Sequence, residues 1–223
     1  MKRLFILLLT AAVCAFPAEA SSSGVVYSWK GNRKAVALTF DDGPSPVYTK
    51  EILGILAEYG VRATFFVVGE NAERYGDLIR AEYEAGHEIG NHTYSHRYLH
   101  KLTEAETVEE IESTERIVYE NLEVRTRLLR PPGGIFGEAL CKAALALDYT
   151  VVCWSVDTRD WAHTPVNTIV ENVLSSVKEG DIILFHDLVG GKPSPTPEAL
   201  RILIPALLNE GYEFVTVSEL IGS

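Results

Sequence analysis

The chain has 223 residues, of which 47% are hydrophobic and 23% are charged. This composition is typical of a single globular domain with a sizeable core. The formal net charge is −11. Because a nucleic-acid-binding surface needs clustered basic residues to neutralise phosphates, the acidic balance argues against nucleic acid as a partner.

The first twenty residues have the pattern of a secretory signal peptide. A basic start precedes an apolar run over residues 4–16, which is short for a transmembrane helix, and residues 18–20 (AEA) form a small-x-small cleavage site. We predict cleavage after Ala20, no stable membrane insertion afterwards, and a secreted, extracytoplasmic location at the cell envelope. An uncleaved N-terminal anchor and a lipid attached at Cys14 stay open as alternatives.

Strand-like apolar runs alternate with amphipathic segments after a short lead over residues 21–34. The predicted strands are residues 35–40, 63–68, 88–91, 127–130, 150–156, 181–185 and 213–217, and the predicted helices are residues 47–59, 72–85, 104–122, 138–147, 166–178 and 197–209. Such alternation predicts an α/β fold with a parallel sheet covered by helices. About seven parallel strands favour a distorted (β/α) barrel over residues 35–223, and an open doubly wound sheet is the alternative.

Two cysteines remain after the predicted cleavage. Cys141 lies in a predicted helix and Cys153 in a predicted strand, and we interpret both as buried free thiols. A disulfide between them stays open, because the sequence alone does not fix the distance between the two sulfur atoms.

Chemically reactive side chains follow five of the predicted strands. Asp41, His92, Arg130, Asp157 and His186 each lie at or just past the C-terminal end of a different strand. The carboxyl ends of parallel barrel strands meet at one rim, where the active sites of such barrels lie. We therefore expect these five side chains to converge on one site.

The segment at residues 92–96 (HTYSH) and the Asp41–Asp42 pair predict a metal site. Two imidazoles four residues apart lie on one face of a helical turn, and one carboxylate would complete a His-His-carboxylate set with open positions. The second carboxylate would be free to act as a base, which is the minimum equipment for metal-assisted hydrolysis. On the residues alone, a simple turn at the aspartates and competing ligation by His87 or His100 stay open.

Five segments together carry a resemblance to a known family. They are residues 39–44 (TFDDGP), 92–96 (HTYSH), 130–134 (RPPGG), 157–161 (DTRDW) and 184–186 (LFH). In this order they resemble the motifs of polysaccharide deacetylases of the NodB-homology type, which are metal-dependent carbohydrate esterases with a distorted (β/α) barrel. The resemblance extends over residues 35–217, nearly all of the predicted mature chain.

The resemblance implies a metal centre and a general base. Asp42, His92 and His96 would bind one divalent metal ion, with zinc favoured and cobalt as the alternative. Asp41 would be the general base, and Arg130 would orient it.

The resemblance also implies the rest of the site. His186 would be the general acid, held by Asp157. Trp161 and Leu184 would line the pocket for the acetyl methyl group, and the Gly133 N–H would help to hold the oxyanion. The family usually has an aromatic residue at position 133, so we expect this edge of the cavity to lack an aromatic wall.

The leading functional hypothesis is removal of N-acetyl groups from an extracellular amino-sugar polymer. The partner would be an acetylated polysaccharide or oligosaccharide, such as peptidoglycan or a chitin-like chain. An acetylxylan-type O-deacetylase and a catalytically weak secreted carbohydrate-binding protein are the main alternatives, and a hydrolase of small amides is a third.

Overall fold

The computed structural model describes residues 24–29, 31, 33–190 and 193–222. The signal peptide predicted over residues 1–20 lies outside these ranges and stays a prediction. Within them, no helix combines the length and apolar character that a membrane crossing requires.

The described residues form nine strands and eight α-helices. The strands are β1 (Val25–Val26), β2 (Ala35–Asp41), β3 (Thr64–Val67), β4 (Glu88–Asn91), β5 (Leu128–Leu129), β6 (Thr150–Val152), β7 (Val156–Asp157), β8 (Ile182–His186) and β9 (Glu213–Phe214). The helices are α1 (Tyr48–Tyr59), α2 (Gly69–Arg74), α3 (Gly76–Glu84), α4 (Glu104–Leu122), α5 (Glu138–Ala146), α6 (Val166–Ser176), α7 (Thr196–Asn209) and α8 (Val217–Ile221).

The sheet is parallel and curls around its own core. Its strand order is β1-β6-β5-β4-β3-β2-β8-β7, and β9 pairs with β2. The strands β6 and β7 are two halves of one extended segment, and β6 pairs with β5 while β7 pairs with β8. This segment therefore joins the two sides of the curled sheet, and the predicted α/β fold with a distorted (β/α) barrel is confirmed.

The strand β2 lies at the centre of the core. All seven of its residues are buried, and it pairs with β3, β8 and β9. Helices α1 and α7 pack together over this part of the sheet, and a second apolar cluster lies between α4, α5 and β6. Burial on both sides explains why β2 reads as a continuous apolar run rather than as an alternating one.

Three predicted elements differ from the structure for identifiable reasons. The predicted helix over residues 72–85 is two helices, separated by Tyr75, whose backbone angles (φ −128°, ψ 46°) are not helical. The predicted strand over residues 150–156 is interrupted because the carbonyl groups of Val152 and Cys153 accept hydrogen bonds from Arg130. The last predicted strand ends early because Thr216 caps α8.

The expectation for the two cysteines has a clear outcome. Cys141 and Cys153 are both free thiols, so the disulfide alternative is wrong; Cys153 is buried as expected, whereas Cys141 is only partly buried. At the start of α4, Thr103 and Glu106 form a capping box, which satisfies backbone N–H groups that a helix leaves unpaired.

Glu82 is a buried acid inside this core. It lies on α3, is fully buried, and neither of its carboxyl oxygens has a hydrogen-bond partner within the described part of the chain. Burial raises the pKa of Glu82 well above its ordinary value of 4.5, and the negative charge of Asp187 raises it further. The folded protein therefore holds a proton at Glu82 that the unfolded chain releases.

We predict that Glu82→Gln makes the protein less sensitive to alkaline destabilisation. For the wild type, the free energy of unfolding should fall as pH rises above about 4.5, by up to ~1.4 kcal/mol per pH unit from this group. The variant lacks the titrating carboxyl group. The free energy of unfolding of the variant should therefore be close to that of the wild type at pH 4 and should exceed it increasingly towards pH 7. Urea unfolding at a series of pH values measures the difference.

The matched control is Glu84→Gln on the same helix, because Glu84 is exposed. It should follow the wild type at every pH. A constant difference between Glu82→Gln and the wild type across the pH range would contradict the assignment.

Candidate active site

The strand ends bring the predicted residues to one rim. Asp41, Asp157 and His186 are the last residues of β2, β7 and β8, and His92 directly follows β4. These four side chains line one cavity of about 390 Å³. Arg130 follows β5 and is fully buried, so it supports the cavity rather than facing it.

Arg130 binds one of the two adjacent aspartates. Its Nη1 atom donates to Asp41 Oδ1 over 2.7 Å and to Thr39 Oγ1 over 2.8 Å. Its guanidinium also lies 4.0 Å from the centre of the Phe66 ring. A buried guanidinium needs a paired anion and satisfied donors, so Asp41 is held in one orientation with only Oδ2 left for other partners.

The second aspartate meets the two histidines. Asp42 Oδ1 lies 3.1 Å from Nε2 of His96 and 3.4 Å from Nε2 of His92. Together these three residues form a set of ligand atoms within 4.8 Å of one another. A carboxylate and two imidazoles are suitable ligands for a divalent cation and leave positions open.

The histidine pair does not lie on a helical turn, so that expectation is wrong. Residues 92–98 form a loop, in which Thr93 and His96 have positive φ angles of 69° and 54°. Such angles are costly for residues other than glycine and occur where the surrounding structure imposes them. Here Glu110 of α4 imposes the path, because its carboxylate accepts the N–H groups of Tyr94 and Ser95.

The triad of Asp42, His92 and His96 has the chemistry that a metal ion requires. Nδ1 of His92 lies 2.8 Å from the Arg130 carbonyl oxygen, which can only accept, so Nδ1 carries the proton and Nε2 keeps its lone pair. Asp42 Oδ1 is buried and has no hydrogen-bond donor among the described residues. Three electron-pair donors therefore converge where a cation would satisfy them.

The pKa shifts within the triad also indicate a cation-binding site. Burial acts to raise the pKa of Asp42, but the neighbouring imidazoles of His92 and His96 outweigh it and hold that pKa well below its ordinary value. In return, the Asp42 carboxylate raises the pKa of His96. A carboxylate that draws protons onto an imidazole will also draw a divalent cation to the same position.

The prediction that Asp157 holds His186 is wrong, because Asp160 does so. Asp160 is fully buried, and its Oδ1 lies 2.8 Å from Nδ1 of His186. Its Oδ2 accepts the His186 N–H and the Thr196 hydroxyl. Asp157 is the last residue of β7, its side chain is exposed, and it accepts a hydrogen bond from the N–H of Arg159. The turn formed in this way brings Asp160, the second acid of the motif, into the site.

The Asp160 contact changes the proton affinity of His186. Burial acts to lower the pKa of His186, but the hydrogen bond and charge of Asp160, with the charges of Asp41 and Asp42, raise it to about 9. Because Asp160 occupies Nδ1, the Nε2 atom is the one available to the cavity. His186 is thus placed to keep and donate a proton near neutral pH.

The remaining predicted residues line the cavity. Gly133, Trp161 and Leu184 all face it. The expectation that the edge at Gly133 lacks an aromatic wall is wrong, because the Tyr98 ring lies there: a Cβ atom at Gly133 would come within 3.0 Å of Tyr98 Cε1. The motif pattern gave no reason to select Tyr98.

Asp187 is a further residue that the sequence interpretation missed. It is buried against Gly43, where any side chain would overlap its carboxyl group, and it accepts a hydrogen bond from the Thr49 hydroxyl. Burial raises the pKa of Asp187 to about 7, and the charge of Asp42 adds to that rise. A signal existed, since Asp187 directly follows His186 at a strand end.

Comparisons with known proteins agree with this geometry. The family model described as "Polysaccharide deacetylase" matches residues 29–152. A peptidoglycan-N-acetylglucosamine deacetylase of Bacillus cereus is 40% identical over 199 residues, covering 88% of this chain and 92% of its own. A chitooligosaccharide deacetylase of Sinorhizobium fredii is 39% identical and covers 80% of this chain and 87% of its own.

Solved structures extend the comparison to three dimensions. The Bc1960 peptidoglycan N-acetylglucosamine deacetylase superimposes with a TM-score of 0.85 at 39% identity, over 88% of this chain and 92% of its own. A pseudoenzyme of the CE4 family from Bacillus anthracis also superimposes, with a TM-score of 0.82 at 28% identity, over 88% of this chain and 68% of its own. The same fold therefore occurs with and without catalysis, and the residues in the cavity must decide between them.

We predict that His92→Ala abolishes binding of a divalent cation. The variant loses one of three converging ligands, and elemental analysis of protein dialysed against zinc should find far less than one equivalent. His100→Ala is the matched control, since His100 is exposed, follows the loop of residues 92–98 and lies outside the triad, and it should keep one equivalent. Equal zinc contents in the two variants would contradict the triad assignment.

Proposed function

Because the chain belongs to the polysaccharide deacetylase family, we propose that it removes N-acetyl groups from an amino-sugar polymer of the cell envelope, either peptidoglycan or a chitin-like chain. The observation that carries the proposal is the arrangement of one cavity. An arginine-bound carboxylate, Asp41, and an aspartate-bound imidazole, His186, both face it beside the Asp42–His92–His96 triad. Amide hydrolysis needs a base, an acid and an electrophile in this proximity.

Asp41 acts as the general base in this proposal. Arg130 occupies its Oδ1, so Oδ2 is free to take a proton from the attacking water. Oδ2 also lies 3.7 Å from Nε2 of His92, which puts the base next to the triad. Fixing the carboxylate in advance removes the entropy cost of orienting it during the reaction.

His186 acts as the general acid. An amine is a poor leaving group until it is protonated, so a separate proton donor is a chemical requirement of N-deacetylation. The Nδ1 contact with Asp160 fixes the ring and leaves Nε2 for the leaving nitrogen. The raised pKa of His186 keeps it protonated when the tetrahedral intermediate collapses.

The other groups stabilise and position the acetamide. A divalent cation at the triad, zinc in our proposal with cobalt as the alternative, supplies Lewis-acid polarisation of the carbonyl group. The Gly133 N–H donates to the developing oxyanion. Trp161 and Leu184 provide the apolar wall for the acetyl methyl group.

The location follows from the same proposal. A polymer of the cell envelope lies outside the cytoplasm, so we propose that the chain acts there after secretion. The predicted signal peptide supports this location, and so does the similarity to a peptidoglycan-N-acetylglucosamine deacetylase.

Acetate release tests the proposed activity. With added zinc or cobalt, the protein should release acetate from N-acetylglucosamine oligomers or from peptidoglycan, and more slowly from acetylxylan. Asp41→Asn should keep its metal while losing ~10²–10⁴-fold in rate, which is the usual contribution of a general base. Release from acetylxylan alone would identify an O-deacetylase instead, and binding without release would identify a carbohydrate-binding protein.

We predict that Asp160→Asn shifts the alkaline limb of the pH–rate profile to lower pH. The Asp160 carboxylate raises the pKa of His186, so its loss makes the acid deprotonate earlier as pH rises. The pH dependence of kcat for acetate release measures the shift. Asp157→Asn is the matched control from the same motif and should leave the alkaline limb in place; a shift in the control but not in Asp160→Asn would reverse the assignment.

A further inference from the structure

Tyr98 and Gly133 lie against each other at one edge of the cavity. Tyr98 is the last residue of the loop that carries His96, and the next residue, Leu99, is buried in the core and fixes the backbone there. The Tyr98 ring fills the space that a side chain at position 133 would need, since a Cβ there would lie 3.0 Å from the ring. Gly133 also has a φ of +66°, which glycine adopts without strain.

The Tyr98 side chain is open to the solvent and has two neighbours near its ring. It remains 45% exposed. The His100 ring lies 5.8 Å from its centre, and the Lys101 ammonium group lies 5.3 Å from its centre. Both neighbours are exposed side chains, and they leave nearly half of the tyrosine open to a ligand.

The distribution of polar and apolar residues in the cavity indicates which class of ligand would contact the Tyr98 ring. At its base, Asp41 and His92 are buried and His186 is partly buried, whereas Tyr98, Ile135 and Trp161 line its mouth and are exposed. A pyranose ring has an apolar C–H face and a polar hydroxyl edge. An exposed aromatic ring beside a polar cavity suits such a ligand, because aromatic side chains combine a large apolar face with a polar tip.

We propose that Tyr98 is a specificity-determining residue whose ring stacks on a pyranose ring of the acetylated polymer, and that Gly133 is needed to leave room for it. The inference rests on the proposed function, because it takes a sugar polymer as the ligand. It adds a substrate-binding contact from the metal-ligand loop that no matched motif includes.

Calorimetric titration with a tetramer of N-acetylglucosamine tests the stacking contact. The titrations use the metal-loaded protein with the Asp41→Asn substitution, so that the sugar is not consumed. Adding Tyr98→Ala should weaken binding by roughly three- to tenfold, as expected for loss of one aromatic contact. Tyr98→Phe keeps the ring and should bind within about twofold of the parent.

Steady-state kinetics and a control variant separate stacking from a general structural effect. In the otherwise wild-type enzyme, Tyr98→Ala should raise KM more than it lowers kcat, with metal content unchanged. Tyr83→Ala removes a tyrosine of similar exposure, 43%, on the distant helix α3, and it should leave tetramer affinity unchanged. Equal weakening by Tyr83→Ala would overturn the inference.

A double-mutant cycle tests the role of Gly133. Gly133→Ala should displace the Tyr98 ring and weaken tetramer binding, but it should cause no further weakening when Tyr98 is already alanine. The strain at positive φ should lower the melting temperature in both backgrounds. Additive losses in sugar affinity would overturn the pairing of the two residues.

The outcomes distinguish this inference from the proposed function. If the wild type releases acetate but Tyr98→Ala binds the tetramer as tightly as Tyr98→Phe, only the stacking inference fails. If the wild type neither releases acetate from any polymer nor binds one, both fail.

Discussion

The buried pair of Arg130 and Asp41 is the interaction on which both the barrel and its site depend. The guanidinium is enclosed completely and has one anion to neutralise it. The same side chain draws the carbonyl groups of Val152 and Cys153 towards it, which interrupts the strand that joins the two sides of the sheet. Its backbone carbonyl fixes the proton on His92. Removal of one partner from such a pair typically costs ~3–5 kcal/mol, so the fold and the chemistry are linked through one residue.

This pair also explains how two adjacent aspartates acquire different roles. Arg130 holds Asp41 within β2, whereas Asp42 leaves the strand with a φ of 76° and turns its carboxylate towards the histidines. Charge alone would not distinguish two neighbouring acids, but their partners do. The unusual backbone angles of this rim persist because rigid elements impose them: Glu110 holds the histidine loop from α4. Strain at the rim is thus supported by contacts deeper in the fold.

The sequence predicts the parts of this architecture that depend on local pattern. Continuous apolar strands, amphipathic helices and a capping box depend on neighbouring residues, so the alternating fold and the helix α4 were predictable. The convergence of the reactive side chains was also predictable, because the carboxyl ends of parallel strands meet at one rim of a barrel. The partner of His186 was not predictable from the motif alone. The motif contains two aspartates, Asp157 and Asp160, and only the turn after β7 determines which of them reaches His186. Tyr98 was missed for a similar reason, since its contact with Gly133 joins segments far apart in the chain.

The central claim is that Arg130 reserves Asp41 for proton transfer and leaves Asp42 to the metal. Crystals of the wild-type protein grown with zinc test it most directly, by anomalous diffraction above and below the zinc absorption edge. The account predicts a single strong peak bonded to Asp42, His92 and His96, with Asp41 still paired to Arg130. A peak bonded to Asp41, with the Arg130 pair broken, would contradict it.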